Sequence, residues 1–79
     1  MTNTTTVDPK EILFIKENAP KGFPRMIVEA LEAEGKNFDR VRVHKEISTI
    51  KDTYNVDVIH TARRLLKAVK NVEFTPSNN

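Results

Sequence analysis

The sequence predicts a small all-α protein, a compact bundle of about four short helices. Apolar residues recur at helical spacing in four segments, capping residues precede these segments, and Pro and Gly residues mark two of the breaks between them. The chain has 79 residues, enough for one domain with a single core. We expect the domain to span residues 8 to 74, with disordered tails at residues 1 to 7 and 75 to 79.

The first helix has a clear start signal. Asp8 can accept a hydrogen bond from the N3 amide, Pro9 at the first helical position leaves no donor unpaired, and Glu11 completes a capping box. We therefore predict a helix over residues 9 to 18. Pro20 ends it because a proline disfavours the helical conformation in the residue before it.

The second helix lies between two glycines. We predict it over residues 24 to 34, with Ile27 and Leu31 on one apolar face. Gly22 tolerates the positive φ of the turn before this helix. Gly35 can close the helix in a left-handed conformation.

The third segment admits two interpretations. Residues 40 to 44 alternate between polar and apolar side chains, which fits a half-buried strand. Val43, Ile47 and Ile50 recur at helical spacing, which fits a helix. We prefer a helix over residues 39 to 51, and the strand remains the alternative.

The fourth helix begins at Asn55 or Asp57 and ends near Asn71. Its apolar stripe faces the core, and its opposite face carries four cations: Arg63, Arg64, Lys67 and Lys70. The simplest interpretation is that these cations form a solvated surface. A more specific interpretation is that they contact phosphates or an acidic partner surface. Residues 72 to 74 could fold back over the core.

The positive charge is concentrated in the second half of the chain. Residues 36 to 70 hold nine Lys and Arg against four Asp and Glu, a net charge of +5, whereas residues 1 to 35 hold four against six. A basic helical half on a small domain indicates a polyanionic partner, and nucleic acid is the first candidate.

Other function classes find little support in the composition. The chain has no Cys, and its two His residues lie sixteen positions apart, so we predict no metal site and no cofactor. The longest apolar run covers residues 12 to 15, too short for a membrane span. No phosphate loop and no nucleophile with a positioned base is present, so we expect no enzyme and no small-molecule substrate. We expect a cytoplasmic protein.

Two short helices joined by a turn that contains Gly, the second of them basic, indicate a helix-turn-helix. The spacing of the core residues is informative as well. The pattern consists of Pro20-Lys-Gly-Phe23, Ile27-Val-x-x-Leu31, Val43, Ile47 and Asn55-x-x-Val58, with Ala62 and Leu65-Leu66. This pattern, over about residues 12 to 69, resembles the small repressor-like helix-turn-helix domains of bacteria and phages. The resemblance implies a bundle of four or five helices that binds DNA with the helix after the turn. That turn is longer here than in the family, because Gly35 comes four residues after Leu31.

The predicted DNA-binding residues lie on the third helix. A helical wheel with Val43, Ile47 and Ile50 inward places Val41, Arg42, His44, Lys45, Ser48 and Thr49 on the outer half, with Arg40 near the boundary. Arg and Lys donate to guanine, Ser and Thr bond bases or phosphates, and an exposed Val can contact a thymine methyl group. The resemblance implies base-reading positions on this helix and a phosphate contact for Arg25; the helix positions are Arg40, Arg42, His44, Lys45, Ser48 and Thr49. A homodimer on a two-fold DNA site would raise the affinity of so small a module.

Two alternatives stay open. A protein-interaction module could pair the basic face with an acidic partner, and the apolar residues on more than one side of the second helix, Met26 and Val28 among them, favour it. RNA binding is the third possibility, weakened by the scarcity of aromatic residues that could stack on bases.

Overall fold

The computed structural model describes residues 3 to 74, which form four helices and one two-stranded sheet. In chain order the elements are β1 Thr4–Thr6, α1 Pro9–Asn18, α2 Phe23–Ala33, α3 Arg40–Ser48, β2 Thr53–Asn55 and α4 Val56–Lys70. The prediction of four short helices is confirmed for this part of the chain. The prediction of an all-α fold is corrected by the small sheet. The tail predicted at residues 75 to 79 lies outside the described residues.

The bounds of α1 agree with the prediction, but its capping differs. The Asp8 carboxylate accepts from the amide of Lys10 at 2.9 Å rather than from the N3 amide. Glu11 does not complete a capping box, because its carboxylate accepts two hydrogen bonds from Arg63 of α4. The side chain expected to close the start of one helix therefore joins two helices.

Two glycines bound α2 as predicted. Gly22 precedes the helix with φ of 77°, and Gly35 follows it with φ of 80°. The amides of Gly35 and Lys36 donate to the carbonyls of Glu32 and Leu31, each at 2.9 Å, so the last turn of α2 is closed by a left-handed glycine.

Residues 40 to 44 are helical, so the strand alternative was wrong. The α3 helix ends earlier than predicted, because Thr49 has an extended backbone with φ of −107° and ψ of 133°. This break interrupts the helical spacing between Ile47 and Ile50. Ile47 is buried, whereas Ile50 is 51% exposed and does not belong to the core.

The N-terminal segment is ordered from residue 3 to residue 7, which corrects the prediction of a disordered tail there. β1 pairs antiparallel with β2, and Thr5 lies opposite Tyr54. Val7 is buried at 3% exposure. β-Branched threonines favour an extended backbone, and the buried valine adds apolar contact that holds the strand in place.

One core unites all four helices and the sheet. Its members are Val7, Ile12, Ile15, Phe23, Ile27, Leu31, Val43, Ile47, Tyr54, Val58, Ile59, Ala62 and Leu66. Val43 and Ile47 are the only α3 side chains among these thirteen, so α3 contributes a narrow stripe. Most of its surface faces away from the core.

Candidate nucleic-acid interface

The α3 helix presents the predicted set of polar and cationic side chains to solvent. Exposed residues are Arg40, Val41, Arg42, His44, Lys45 and Thr49, and Ser48 is half-buried. Thr49 lies one residue beyond the helix, so it belongs to the edge of this surface rather than to the helix itself. Val41 is 58% exposed, and this apolar side chain stands among cations. We call the exposed residues from Arg40 to Thr49 the α3 face.

The three cations of the α3 face have no acidic partner between residues 3 and 74. Neither Arg40, Arg42 nor Lys45 forms an ion pair there. The one carboxylate within α3, Glu46, is partly buried and accepts from Lys51 and from the Asn55 amide. Arg40, Arg42 and Lys45 therefore keep free cationic groups within residues 3 to 74, although the Asp39 carboxylate caps the start of the helix.

The cations of α4 are arranged differently. Arg63 of α4 donates two hydrogen bonds, of 2.6 and 2.9 Å, to the carboxylate of Glu11 in α1. Three further ion pairs involve this helix or its start: Arg64 with Glu34, Lys67 with Glu73, and Lys36 with Asp57. Among these pairs only Arg63–Glu11 has a buried member, since the side chains of Arg64 and Lys67 are 64% and 59% exposed and exposed pairs are weak. Acidic neighbours therefore offset part of the charge of α4, whereas the α3 cations form no ion pair within residues 3 to 74.

The ionisation of several groups reflects these pairs. A hydrogen bond from Arg64 is the main cause that lowers the pKa of Glu34. A hydrogen bond to Asp57 is the main cause that raises the pKa of Lys36. The carboxylate of Glu11 likewise raises the pKa of Arg63. Each pairing favours the charged form of the group.

The charges of α3 and α4 also differ in their relation to the helix dipole. α4 has Asp57 in its first turn and Lys67 and Lys70 in its last, the arrangement that stabilises a helix. α3 has no acid in its first turn and instead begins with Arg40 and Arg42. Each cation at a helix N-terminus costs roughly 0.3 to 1 kcal/mol. A bound phosphate would reverse that cost.

A shallow groove of about 250 Å³ lies beside the α3 face. His44 and Ser48 line it from α3, Lys16 from the end of α1, Pro20 from the turn after α1 and Pro24 from the start of α2, together with three further residues. The sequence did not predict Lys16 as a site residue, because no local pattern indicates that the end of α1 lies beside α3. The structure thus adds a fourth cation next to the predicted set.

Arg25 lies one residue beyond Pro24, in the first turn of α2. Its side chain is 71% exposed, and its Nε atom is 3.4 Å from a carboxylate oxygen of Glu29. An exposed pair of this kind is weak, about 0.3 to 0.5 kcal/mol, so Glu29 would compete little with a phosphate for Arg25.

The apolar residues of α2 do not form an exposed face. Met26 and Val28 are partly buried and pack against the core. The large apolar side chains that are exposed lie elsewhere, at Leu13, Val41, Ile50 and Val69. The observation that favoured a protein-interaction module is therefore weakened, because the wide apolar surface of α2 is used inside the domain.

Two further findings concern membrane-spanning helices and similarity to known proteins. Among residues 3 to 74, no helix has the length and apolar character needed to cross a membrane. Comparisons with protein-family models, with curated proteins and with solved structures found no match to this chain.

Proposed function

We propose that this protein binds double-stranded DNA in a sequence-specific manner by inserting α3 into the major groove, as a transcriptional regulator or an accessory factor of a mobile element. The observation that carries the proposal is the contrast between two basic helices. Three of the four cations on the outer face of α4 are paired with carboxylates, whereas the three cations of α3 have no such partner in residues 3 to 74.

The dimensions and order of the helices support a helix-turn-helix. α2 and α3 pack against each other and are joined by residues 34 to 39. An α-helix with its side chains is about 10 to 12 Å in diameter, which fits the major groove of about 12 Å width. In such motifs the first residues of the second helix contact base edges. Here these residues are Arg40, Val41 and Arg42.

The mechanism follows from the chemistry of the α3 face. Cationic side chains neutralise phosphates and release the counterions condensed on DNA, while base contacts discriminate between sequences. Val41 would contact a thymine methyl group, and the arginines would donate to guanine. If about four phosphates are neutralised, log K falls with log salt at a slope of about −3.6. A homodimer on a two-fold site would double this contact surface.

Charge reversal tests the proposal with a matched control. We expect Arg42→Glu with Lys45→Glu to abolish binding to mixed duplex DNA at low salt, since it places two anions on the α3 face. The control, Lys67→Glu with Lys70→Glu, changes the net charge by the same amount on α4 and should retain most of the binding. Circular dichroism checks that both variants keep their helicity.

Binding measurements with duplex DNA and with RNA separate DNA binding from the alternatives. In an NMR titration with duplex DNA, shifts on α3 and around Lys16 are the expected result. Complete absence of salt-sensitive DNA binding by the unaltered chain contradicts the proposal. Preference for single-stranded RNA over duplex DNA would favour the RNA alternative. Equal loss of binding in both charge-reversal variants would indicate attraction by net charge alone.

A further inference from the structure

One cation of the α3 face differs from the others in being held in place. The guanidinium carbon of Arg42 lies 5.3 Å from the centre of the Phe38 ring. Phe38 is itself partly buried and packs against the core. No other described cation of the α3 face rests on an aromatic ring, since the second such contact joins Lys51 and Tyr54. Arg42 is thus supported by a side chain that is fixed by the fold.

The geometry of the helix start explains this contact. Asp39 caps α3 and accepts from the Val41 amide, so Phe38 immediately precedes the cap and Arg42 is the third helical residue. Side chains of a helix lean toward its N-terminus, which brings position 42 over position 38. The guanidinium is therefore held at the N-terminal end of α3, the end that meets base edges in a helix-turn-helix.

The contact with Phe38 leaves the hydrogen-bonding edge of Arg42 available. A cation over a ring face is attracted by the ring's quadrupole and uses no N–H donor in doing so. Within residues 3 to 74 the side chain of Arg42 makes no hydrogen bond and no ion pair, so its planar set of five donors is uncommitted. Two parallel N–H groups of this set match the O6 and N7 acceptors of guanine.

We infer that Arg42 is the residue of the α3 face that selects guanine, and that Phe38 positions it for this contact. The inference rests on the proposed function and adds the identity of one base and of the group that recognises it. Lys45 offers a point charge without a planar donor pair, and Arg40 has no supporting ring. An arginine already held in place loses less conformational entropy on binding, which favours a specific contact over a mobile phosphate contact.

The experiment selects binding sites from a pool of randomised duplex DNA with the full chain. We expect an enriched site that contains at least one required G·C pair. Arg42→Lys keeps the charge and should lower the preference for that pair by about 10- to 100-fold. Its binding to unselected duplex should change less than about twofold. Arg64→Lys on α4, outside the α3 face, is the matched control and should retain the preference. Arg40→Lys tests whether the other arginine of the α3 face selects the base instead.

A modified base tests the contact directly. Replacing the required guanine by 7-deazaguanine removes the N7 acceptor and keeps the base pairing. The unaltered chain should lose affinity for this DNA, whereas Arg42→Lys should bind both DNAs almost equally. Phe38→Leu should reduce the discrimination between guanine and 7-deazaguanine, and Phe38→Tyr, which keeps the ring, should restore it. A merely structural role of Phe38 would weaken binding to both DNAs alike.

The outcomes separate this inference from the proposed function. If the chain binds duplex DNA with a salt-dependent affinity but enriches no G·C pair, the inference is wrong and the proposed function stands. The inference is also wrong if Arg40→Lys, rather than Arg42→Lys, removes the preference. If no DNA binding is found at all, both are wrong.

Discussion

Glu11 and Arg63 form a two-point ion pair that fastens the start of α1 to the middle of α4. Nε and one terminal nitrogen of Arg63 donate to the two carboxylate oxygens of Glu11, at 2.6 and 2.9 Å. Glu11 is buried at 7% exposure, so without Arg63 its carboxylate would lose two hydrogen bonds. The pair gives a structural role to an arginine that a charge count would assign to a binding surface.

We expect Arg63→Ala to lower the free energy of unfolding by about 1.5 to 3 kcal/mol, because a buried carboxylate loses two charge-assisted hydrogen bonds. Urea unfolding followed by circular dichroism measures the change. Arg64→Ala is the control: it removes a neighbouring arginine whose partner Glu34 is more exposed, and its effect should be clearly smaller. Equal effects of the two substitutions would contradict the assignment.

The Tyr54 hydroxyl holds the segment that follows α3. It donates to the Thr49 carbonyl at 2.6 Å and accepts from the Lys51 amide at 2.7 Å. Tyr54→Phe should cost about 1 to 3 kcal/mol of unfolding free energy, because two partly buried backbone groups lose their partner. Thr53→Val, at an exposed neighbouring position, is the control. A cost below about 0.5 kcal/mol for Tyr54→Phe would show that water replaces the hydroxyl.

The N-terminal strand should contribute to stability through Val7. Val7→Ala removes two buried methyl groups and should cost about 1 to 2.5 kcal/mol in urea unfolding. Val69→Ala makes the same chemical change at a position that is 51% exposed, and we expect it to be nearly neutral. If the two substitutions behave alike, β1 does not pack as described.

Lys16 should act as a phosphate contact at the edge of the α3 face. Lys16→Gln should weaken binding to all duplex sequences alike and reduce the magnitude of the salt slope by about 0.9. Lys10→Gln removes the same charge from the other end of α1 and should leave the slope unchanged. The salt dependence of affinity, measured by fluorescence anisotropy, distinguishes these outcomes. A sequence-dependent loss for Lys16→Gln would instead indicate a base contact.

The ion pair of Glu34 predicts a pH dependence of stability. Its pKa is lowered in the folded state, mainly by the hydrogen bond from Arg64, so folding favours the deprotonated carboxylate. The stabilisation is therefore present at neutral pH and is lost as the pH falls below about 5. The urea midpoint of Glu34→Gln should lie below that of the unaltered chain at about pH 7 and approach it at about pH 3.

Because Glu34 is exposed, the difference should be small. Glu32→Gln, an exposed acidic residue of α2 without a described partner in residues 3 to 74, serves as the control. A difference between Glu34→Gln and the unaltered chain that persists at low pH would contradict the assigned pairing with Arg64.

Local signals predicted the helices well. Asp8 with Pro9 marked the start of α1, Gly35 marked the end of α2, and Asn55 caps α4 by accepting from the Asp57 and Val58 amides. These features depend on residues close in sequence, and capping chemistry is local. For the same reason the outward position of Val41 was predicted once a helix was chosen for residues 40 to 44.

Features that depend on distant residues were not predicted. The strand at residues 4 to 6 pairs with residues 53 to 55, and the Tyr54 hydroxyl bonds the backbone on both sides of the exposed Ile50. Both helices carry several cations, but Arg63 of α4 is paired with Glu11, whereas the cations of α3 form no ion pair in residues 3 to 74. A sequence pattern records which residues are charged, but only the tertiary fold decides which charges are neutralised.

The pairing of Thr4 with Asn55 has a consequence for the order of folding. The sheet joins residues 4 to 6 to residues 53 to 55, so it adds contacts of long sequence separation to those that α4 makes with α1 and α2. During synthesis the first strand has no partner until residue 55 has left the ribosome. Helices α1 and α2 can form before that moment, and closure of the sheet then becomes a late step in folding.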